Sequence, residues 1–243
     1  MMMRCLLWVL VLVALSITMA APALSAPAGE RNPGVIPLSA KVGGLTYAEW
    51  GDRWVRWWAA FPLSVDPLAN PGLGQDPASP VFFLPSANGP PIDGPFTLEG
   101  AITVPADKLL LMPVTWAVNA MIPLDCCPMT AQEFLQCAPP GLEAWLLHAT
   151  NNDQDLYAVL DDQPFVDVAQ FRVHSAAPFQ VAWSADSVWN AAPCGQQLGA
   201  FTSDVVWCDG YWMLLTPLSA GEHTLRFGSG WLRTTLHLTV TAR

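Results

Sequence analysis

The segment LRTTLHLTVT, residues 232–241, alternates apolar and polar side chains along its length. Side chains of an extended strand point to opposite faces in turn, so Leu232, Thr234, Leu236, Leu238 and Val240 share one face, and Arg233 and His237 take the other. Upstream, Ser219-Ala220-Gly221 is a turn before a further strand at Thr224–Phe227. The same signals recur back through the chain at Tyr211–Leu215, Val205–Trp207, Phe179–Trp183, Phe171–His174, Leu156–Leu160, Leu109–Val114 and Ala101–Val104. Asp161-Asp162 is a hairpin turn following Leu156–Leu160. Short strands with turn signals at about 8–15-residue intervals predict a mainly β chain, an antiparallel β-sandwich of Ig-like or jelly-roll type.

Two helical segments decorate this pattern. TYAEWGDRWVRWWAAFP, residues 46–62, opens on Thr46 with Glu49 three residues later, a capping box that satisfies two helix-start amides. Pro62 is a natural stop. At about 100° per residue, Tyr47, Trp50, Trp54, Trp57, Trp58 and Phe61 fall on one narrow arc. Glu49, Asp52, Arg53 and Arg56 fall opposite, with Glu49–Arg53 and Asp52–Arg56 in the favourable acid-first i,i+4 order. Burial against a sheet is the expected role of the aromatic stripe, with Trp54 and Trp58 near its centre. The alternative is an open stacking platform, and the two combine if the end of the stripe reaches a cleft. The second segment is a helical insertion over 130–148. It starts with a capping box at Thr130 and Glu133, is interrupted by Pro139-Pro140-Gly141, and resumes at Leu142–His148.

From Pro62 to Pro95 inclusive the chain holds nine prolines and the turn signals Asn70-Pro71-Gly72 and Asn88-Gly89, so 62–95 reads as loop around a short strand at Val81-Phe82-Phe83-Leu84. Asp66, Asp76 and Asp93 offer oxygen ligands there, but without a calcium-loop spacing, and no metal is expected. Neither repeats nor low-complexity tracts occur. Residues 26–243 read as one domain.

Residues 1–25 read as a secretory signal peptide. Arg4 precedes a charge-free apolar run, Leu6 to Ala20, and Ala21-Pro22-Ala23-Leu24-Ser25-Ala26 offers cleavage choices. The expected mature chain is secreted or periplasmic and begins between Leu24 and Pro27. It has no further membrane-spanning run, so stable membrane insertion is not expected. With 10 Lys+Arg against 20 Asp+Glu, the formal net charge is −10. Its two lysines, Lys41 and Lys108, give no basic face for nucleic acid. Charged residues make up 12% and hydrophobic ones 52%, which excludes a disordered polymer.

Beyond the leader lie Cys126, Cys127, Cys137, Cys194 and Cys208. An oxidising compartment favours disulfides. Proximity suggests Cys194–Cys208, a loop of about 15 residues worth roughly 3 kcal/mol, and one of Cys126 or Cys127 with Cys137.

Searching for catalytic signatures yields no nucleophile elbow, zincin helix, Walker loop or dinucleotide turn. His148, His174, His223 and His237 are scattered without ligand spacing, and no cofactor is expected. Asp153, Asp155, Asp161, Asp162 and Asp167 form an acidic stretch that solvates turns. Asp209 precedes Gly210-Tyr211-Trp212 and reads as an acid at a strand entrance. Tyr211 and Trp212 must point to opposite faces. With Trp212 in the core, Asp209 and Tyr211 share the outward face and are the candidate ligand-binding pair.

Four segments together, YAEWGDRWVRWWAAFP (47–62), GQDPASPVFFLP (74–85), VPADKLLLMPV (104–114) and DGYWMLLTPLSAGEHTLRF (209–227), resemble a group of exported bacterial proteins of unknown function. These share an EW-x₃-WW-type aromatic helix and a DGYW…PL-x-G-x-H hairpin. The resemblance implies organisation and carries no activity. Twelve tryptophans, of which Trp8 alone lies in the leader, favour a non-catalytic module that binds a small molecule or glycan. An exported hydrolase using paired carboxylates, with Asp209 as first candidate, and a structural envelope protein are the alternatives. The residues do not decide whether the protein is an enzyme, nor its oligomeric state.

Overall fold

The structure is a computed structural model that describes residue 32 and residues 34–62, 64–87, 95–121, 130–186 and 199–242. The leader, Cys126, Cys127, Cys194, the Asn88-Gly89 turn and Asp93 lie outside the described residues.

The chain is mostly β, in two sheets arranged as a sandwich. Helix α1 (Tyr47–Ala59) precedes strands β1 (Val81–Phe83), β2 (Phe96–Pro105) and β3 (Leu109–Ala120). Helix α2 (Ala131–Ala149) follows, then β4 (Tyr157–Leu160), β5 (Gln163–Pro164), a 3₁₀ turn (Val168–Phe171), β6 (Arg172–His174) and β7 (Phe179–Trp183). The chain closes with β8 (Phe201–Leu215), β9 (Gly221–Gly228) and β10 (Leu232–Thr241). The first sheet runs β1-β3-β8, and β6 and β7 share the far edge of β8; the second runs β2-β10-β9-β4-β5.

β7 and β10 occupy the spans that their alternation predicts. The strands expected at Val205–Trp207 and Tyr211–Leu215 are one continuous strand, β8, so Asp209 sits in its interior and not at an entrance. Gly210 does not break it. A Cβ there would lie 2.9 Å from the Thr115 carbonyl oxygen and 3.0 Å from Trp116 Cβ, so glycine permits the close approach of β3. The sheets are mixed where antiparallel pairing was expected throughout: β1 pairs parallel with β3, and β2 pairs parallel with β10 along its whole length. In both cases the partners are distant in sequence, and no hairpin imposes an antiparallel turn.

Helix α1 begins at the expected capping box, with the Glu49 amide donating to Thr46 Oγ1 (3.4 Å) and the Thr46 amide to Glu49 Oε2 (2.7 Å). Its aromatic stripe lies on the first sheet. Tyr47, Trp50, Trp54 and Trp57 are buried, and Trp54 meets Trp116 of β3 and Trp212 of β8 at ring-centroid distances of 4.9 and 5.6 Å. At about 25 cal/mol per Å² a buried indole contributes several kcal/mol. Gly51 lets the helix lie flat on the sheet, because a Cβ there would come within 3.1 Å of the Trp212 ring.

Asp52 departs from the polar arc assigned to it and is buried beneath the helix. Arg56 turns to lie over the Phe179 ring at 4.8 Å and donates to the Gln180 carbonyl. Helix α2 is also one piece, where a break at Pro139-Pro140 was expected. Proline's φ is already helical, so its cost is a lost amide bond and crowding of the preceding turn. Phe134, Ala138, Leu142, Leu146 and Ala149 are buried on one stripe that continues across the prolines and offsets that cost.

Candidate aromatic cleft

The C-terminal end of α1 is where the aromatic stripe leaves the core. Trp58 and Phe61 are half-buried, whereas Trp54 one turn earlier is fully enclosed. Beyond them opens a cavity of about 300 Å³, lined on one side by Trp57, Trp58 and Phe61. Trp183, at the end of β7, forms a second wall. Pro62, Val65 and Pro67 of the following loop, the Pro85–Ala87 segment after β1, and Thr97 and Leu98 of β2 complete the lining. The volume lies at the lower end of the roughly 300–1,000 Å³ usual for small-molecule sites. The described lining contains no charged side chain.

Hydrogen bonds and ring contacts hold these walls. Trp58 stacks on Trp54 (6.3 Å, 9° between planes) and meets Trp116 and Trp183 edge-on at 4.6 and 6.0 Å. Trp57 packs edge-on against Phe61 at 5.0 Å, and its indole N–H donates to the Leu73 carbonyl at 2.9 Å, which draws the proline-rich loop over the helix. The Ser184 amide donates to the Ala59 carbonyl (3.1 Å) and its hydroxyl to the Phe61 carbonyl (3.0 Å), which ties the end of β7 to the end of the helix. Across the cavity, the Ala87 amide donates to Thr234 Oγ1 of β10 at 2.9 Å. Fixed rings around a space whose described lining is uncharged suit a ligand with flat apolar faces and few charges.

Asp209 and Tyr211 do share a face of β8, as alternation requires, but that face is covered by α2 and both residues are buried. Arg172 of β6 grips Asp209 with two bonds, Nε to Oδ1 at 3.2 Å and an Nη to Oδ2 at 2.7 Å, and reaches Glu143 of α2 at 3.6 Å. The Asp209 bond raises the Arg172 guanidinium above its ordinary value. Tyr211 donates its hydroxyl to Asp153 at the end of α2, and burial followed by that carboxylate's bond pushes the phenol up. The pair is therefore an internal anchor for α2 and lies outside the aromatic cleft. Trp212 points to the opposite face, into the core, as expected.

The expected Cys194–Cys208 bridge is not formed: Cys208 is a free, buried thiol, and Cys194 lies outside the described residues. Alternation turns Cys208 toward α1, where its thiol lies 3.3 Å from Asp52 Oδ1 and 3.4 Å from Ser175 Oγ. Ser175 in turn donates to Asp52 at 2.8 Å. Burial first, and the Asp52 carboxylate after it, hold the thiol well above its usual range, which favours the un-ionised form. Burial likewise raises the Asp52 carboxyl. Cys137 is also free, on the exposed face of α2. Asp66 and Asp76 cap their own loop turns through the amides of Leu68 and Ala78.

Sequence reading located Trp57, Trp58 and Phe61 but not Trp183, Arg172 or the burial of Asp52. The signal for Trp183 was its place at the end of an alternating strand; nothing local indicated its partner. No known protein family, curated protein or solved structure matches the chain.

Proposed function

We propose that the protein is an exported, non-catalytic binding module whose aromatic cleft takes an uncharged ligand with a flat apolar face, a sugar ring being the class that fits best. The supporting observation is that the half-buried Trp58 and Phe61, backed by the buried Trp183, line a cavity without described charges. The C–H groups on one face of a pyranose lie flat on an indole, while the hydroxyls at its edge take up serine, threonine and backbone groups. A glycosidase working through paired carboxylates needs both across the scissile bond, and the described walls of this cleft hold none. The charge-free apolar run of the leader and the resemblance to exported proteins are consistent with action outside the cytoplasm.

Tryptophan fluorescence titrated with a panel of neutral glycans tests the reading. One member of the panel should quench or blue-shift the emission of the wild type. Trp58→Ala should lose that response while keeping most of its melting temperature, because Trp58 is half-buried. Trp54→Ala should instead lose stability, by about 3–5 kcal/mol. A response that survives Trp58→Ala, or no response to any glycan, refutes the assignment.

A further inference from the structure

At the end of the second sheet, His223 closes the inner column of β9. Phe227 and Leu225 are fully buried, and the His223 side chain after them is 14% exposed. Its Nδ1 is 2.6 Å from Asp161 Oδ2, in the turn between β4 and β5. Its Nε2 faces Ser219, in the connection between β8 and β9, at 3.0 Å from the carbonyl oxygen and 3.3 Å from the hydroxyl. Asp161 is held by its other oxygen, which accepts the Thr224 amide at 2.8 Å.

Serine, histidine and aspartate in line copy the order of nucleophile, base and orienting acid. The Ser219 carbonyl argues against that role. A carbonyl oxygen only accepts, so the nitrogen 3.0 Å away presents a proton to it and is not a base for the hydroxyl. The opposite nitrogen faces a carboxylate, which also only accepts. A neutral imidazole has one proton for these two acceptors; the imidazolium has one for each.

We infer that His223 is a pH-sensitive clasp that ties the β8–β9 connection to the β4–β5 turn when protonated and releases one of the two when neutral. The surrounding charges favour the protonated state. Asp161 faces it from one turn and Glu222 adds negative charge from β9. The nearby cation Arg226 is engaged by Asp162 at 2.5 Å. From β10 the register partner is the apolar Leu238; the titratable His237 beside it sits on the alternate face and meets Glu99, 3.7 Å away. The Asp161 bond, helped by the Ser219 carbonyl, raises His223 above its ordinary value against the opposing effect of burial.

The direction of the pH effect follows. An unfolded histidine titrates near about pH 6.5. With its folded value raised, His223 contributes stability in full below that pH and loses it as pH climbs through the folded value. For Asp161, burial raises the carboxyl, but the His223 and Thr224 bonds outweigh it and leave the value lowered. Its contribution is present above the ordinary carboxylate value of about 3.9 and fades as pH falls through the lowered one. The clasp is therefore tightest in mild acid.

Proton NMR of the full folded chain, with the His223 ring signal assigned by its absence in His223→Gln, reads the titration directly. The His223 midpoint should lie above about 6.5 and move down in Asp161→Asn. Hydrogen-exchange protection should fall several-fold above the wild-type midpoint on one side of the clasp, at the Thr224 amide bonded to Asp161 or at the backbone amides around Ser219. A wild-type midpoint at or below the ordinary value, or protection that is flat across it on both sides, overturns the inference; if His223→Gln does not fold, the ring signal is assigned through the backbone of the wild-type chain.

Discussion

Two carboxylates taken out of water meet different ends in this protein. Asp209 is 4% exposed and faces the guanidinium of Arg172, so its charge is matched. Asp52 is 8% exposed, and burial disfavours its charge more than the bonds from the Ser175 hydroxyl and the Cys208 thiol, both neutral donors, favour it. A hydrogen-bonded pair has little net worth over an apolar replacement, but removing one member strands the other. Asp209→Ala should therefore cost about 2–3 kcal/mol, below the usual 3–5 because Arg172 can turn toward water. Urea denaturation checks this. A loss under about half a kcal/mol would return Asp209 to the candidates for a functional acid. That small loss is what an acid at an open strand entrance predicts.

At the scale of elements, the β9–β10 hairpin sets the register of the second sheet. Gly228 has φ +148°, and a Cβ there would sit 1.9 Å from the Leu232 carbonyl oxygen. That oxygen accepts the Ser229 amide at 2.7 Å, so it cannot move away without opening the turn. Gly228→Ala should shift or abolish the hairpin, with a loss of 3 kcal/mol or roughly more, read as a collapse of the thermal transition. Retention of the wild-type melting temperature would show that the turn relaxes into another type. The proline-rich segment behaves differently from this tight turn. It gains its order from outside, through the Trp57 bond to the Leu73 carbonyl, the reach of Lys108 to the Pro77 and Ser79 carbonyls, and Gln75, which both donates to and accepts from the Phe83 backbone.

At the scale of the whole molecule, one contiguous set of buried side chains runs from the α1 stripe through both sheets, from Trp54 and Trp212 to Leu225, Phe227 and Leu236. The apolar face of each sheet is buried by packing into this shared core and has no cover within its own sheet. Unfolding should accordingly be a single transition, with tryptophan fluorescence and far-ultraviolet circular dichroism coincident in urea. Two separated transitions would mean that α1 and the first sheet hold together without the second.

What the sequence determined by itself is what depends on neighbours along the chain. Period-two alternation located β7 and β10 to the residue, and period-3.6 spacing with a capping box located α1 and its buried stripe. Both are readable because the chain's own geometry sets them. The same local logic put Asp209 and Tyr211 on one face of β8 and Trp212 on the other. Only the tertiary structure decided which face is covered, and it covered both: α1 lies on one and α2 on the other. It also decided the parallel pairs at β1 and β2, the continuity of α2 through its prolines, and the meeting of Trp58 with Trp183 to make a cleft. Alternation specifies that a side has two faces, never what lies across from each. Those partners come from segments tens to more than a hundred residues away, and their choice rests on the summed packing of the whole core.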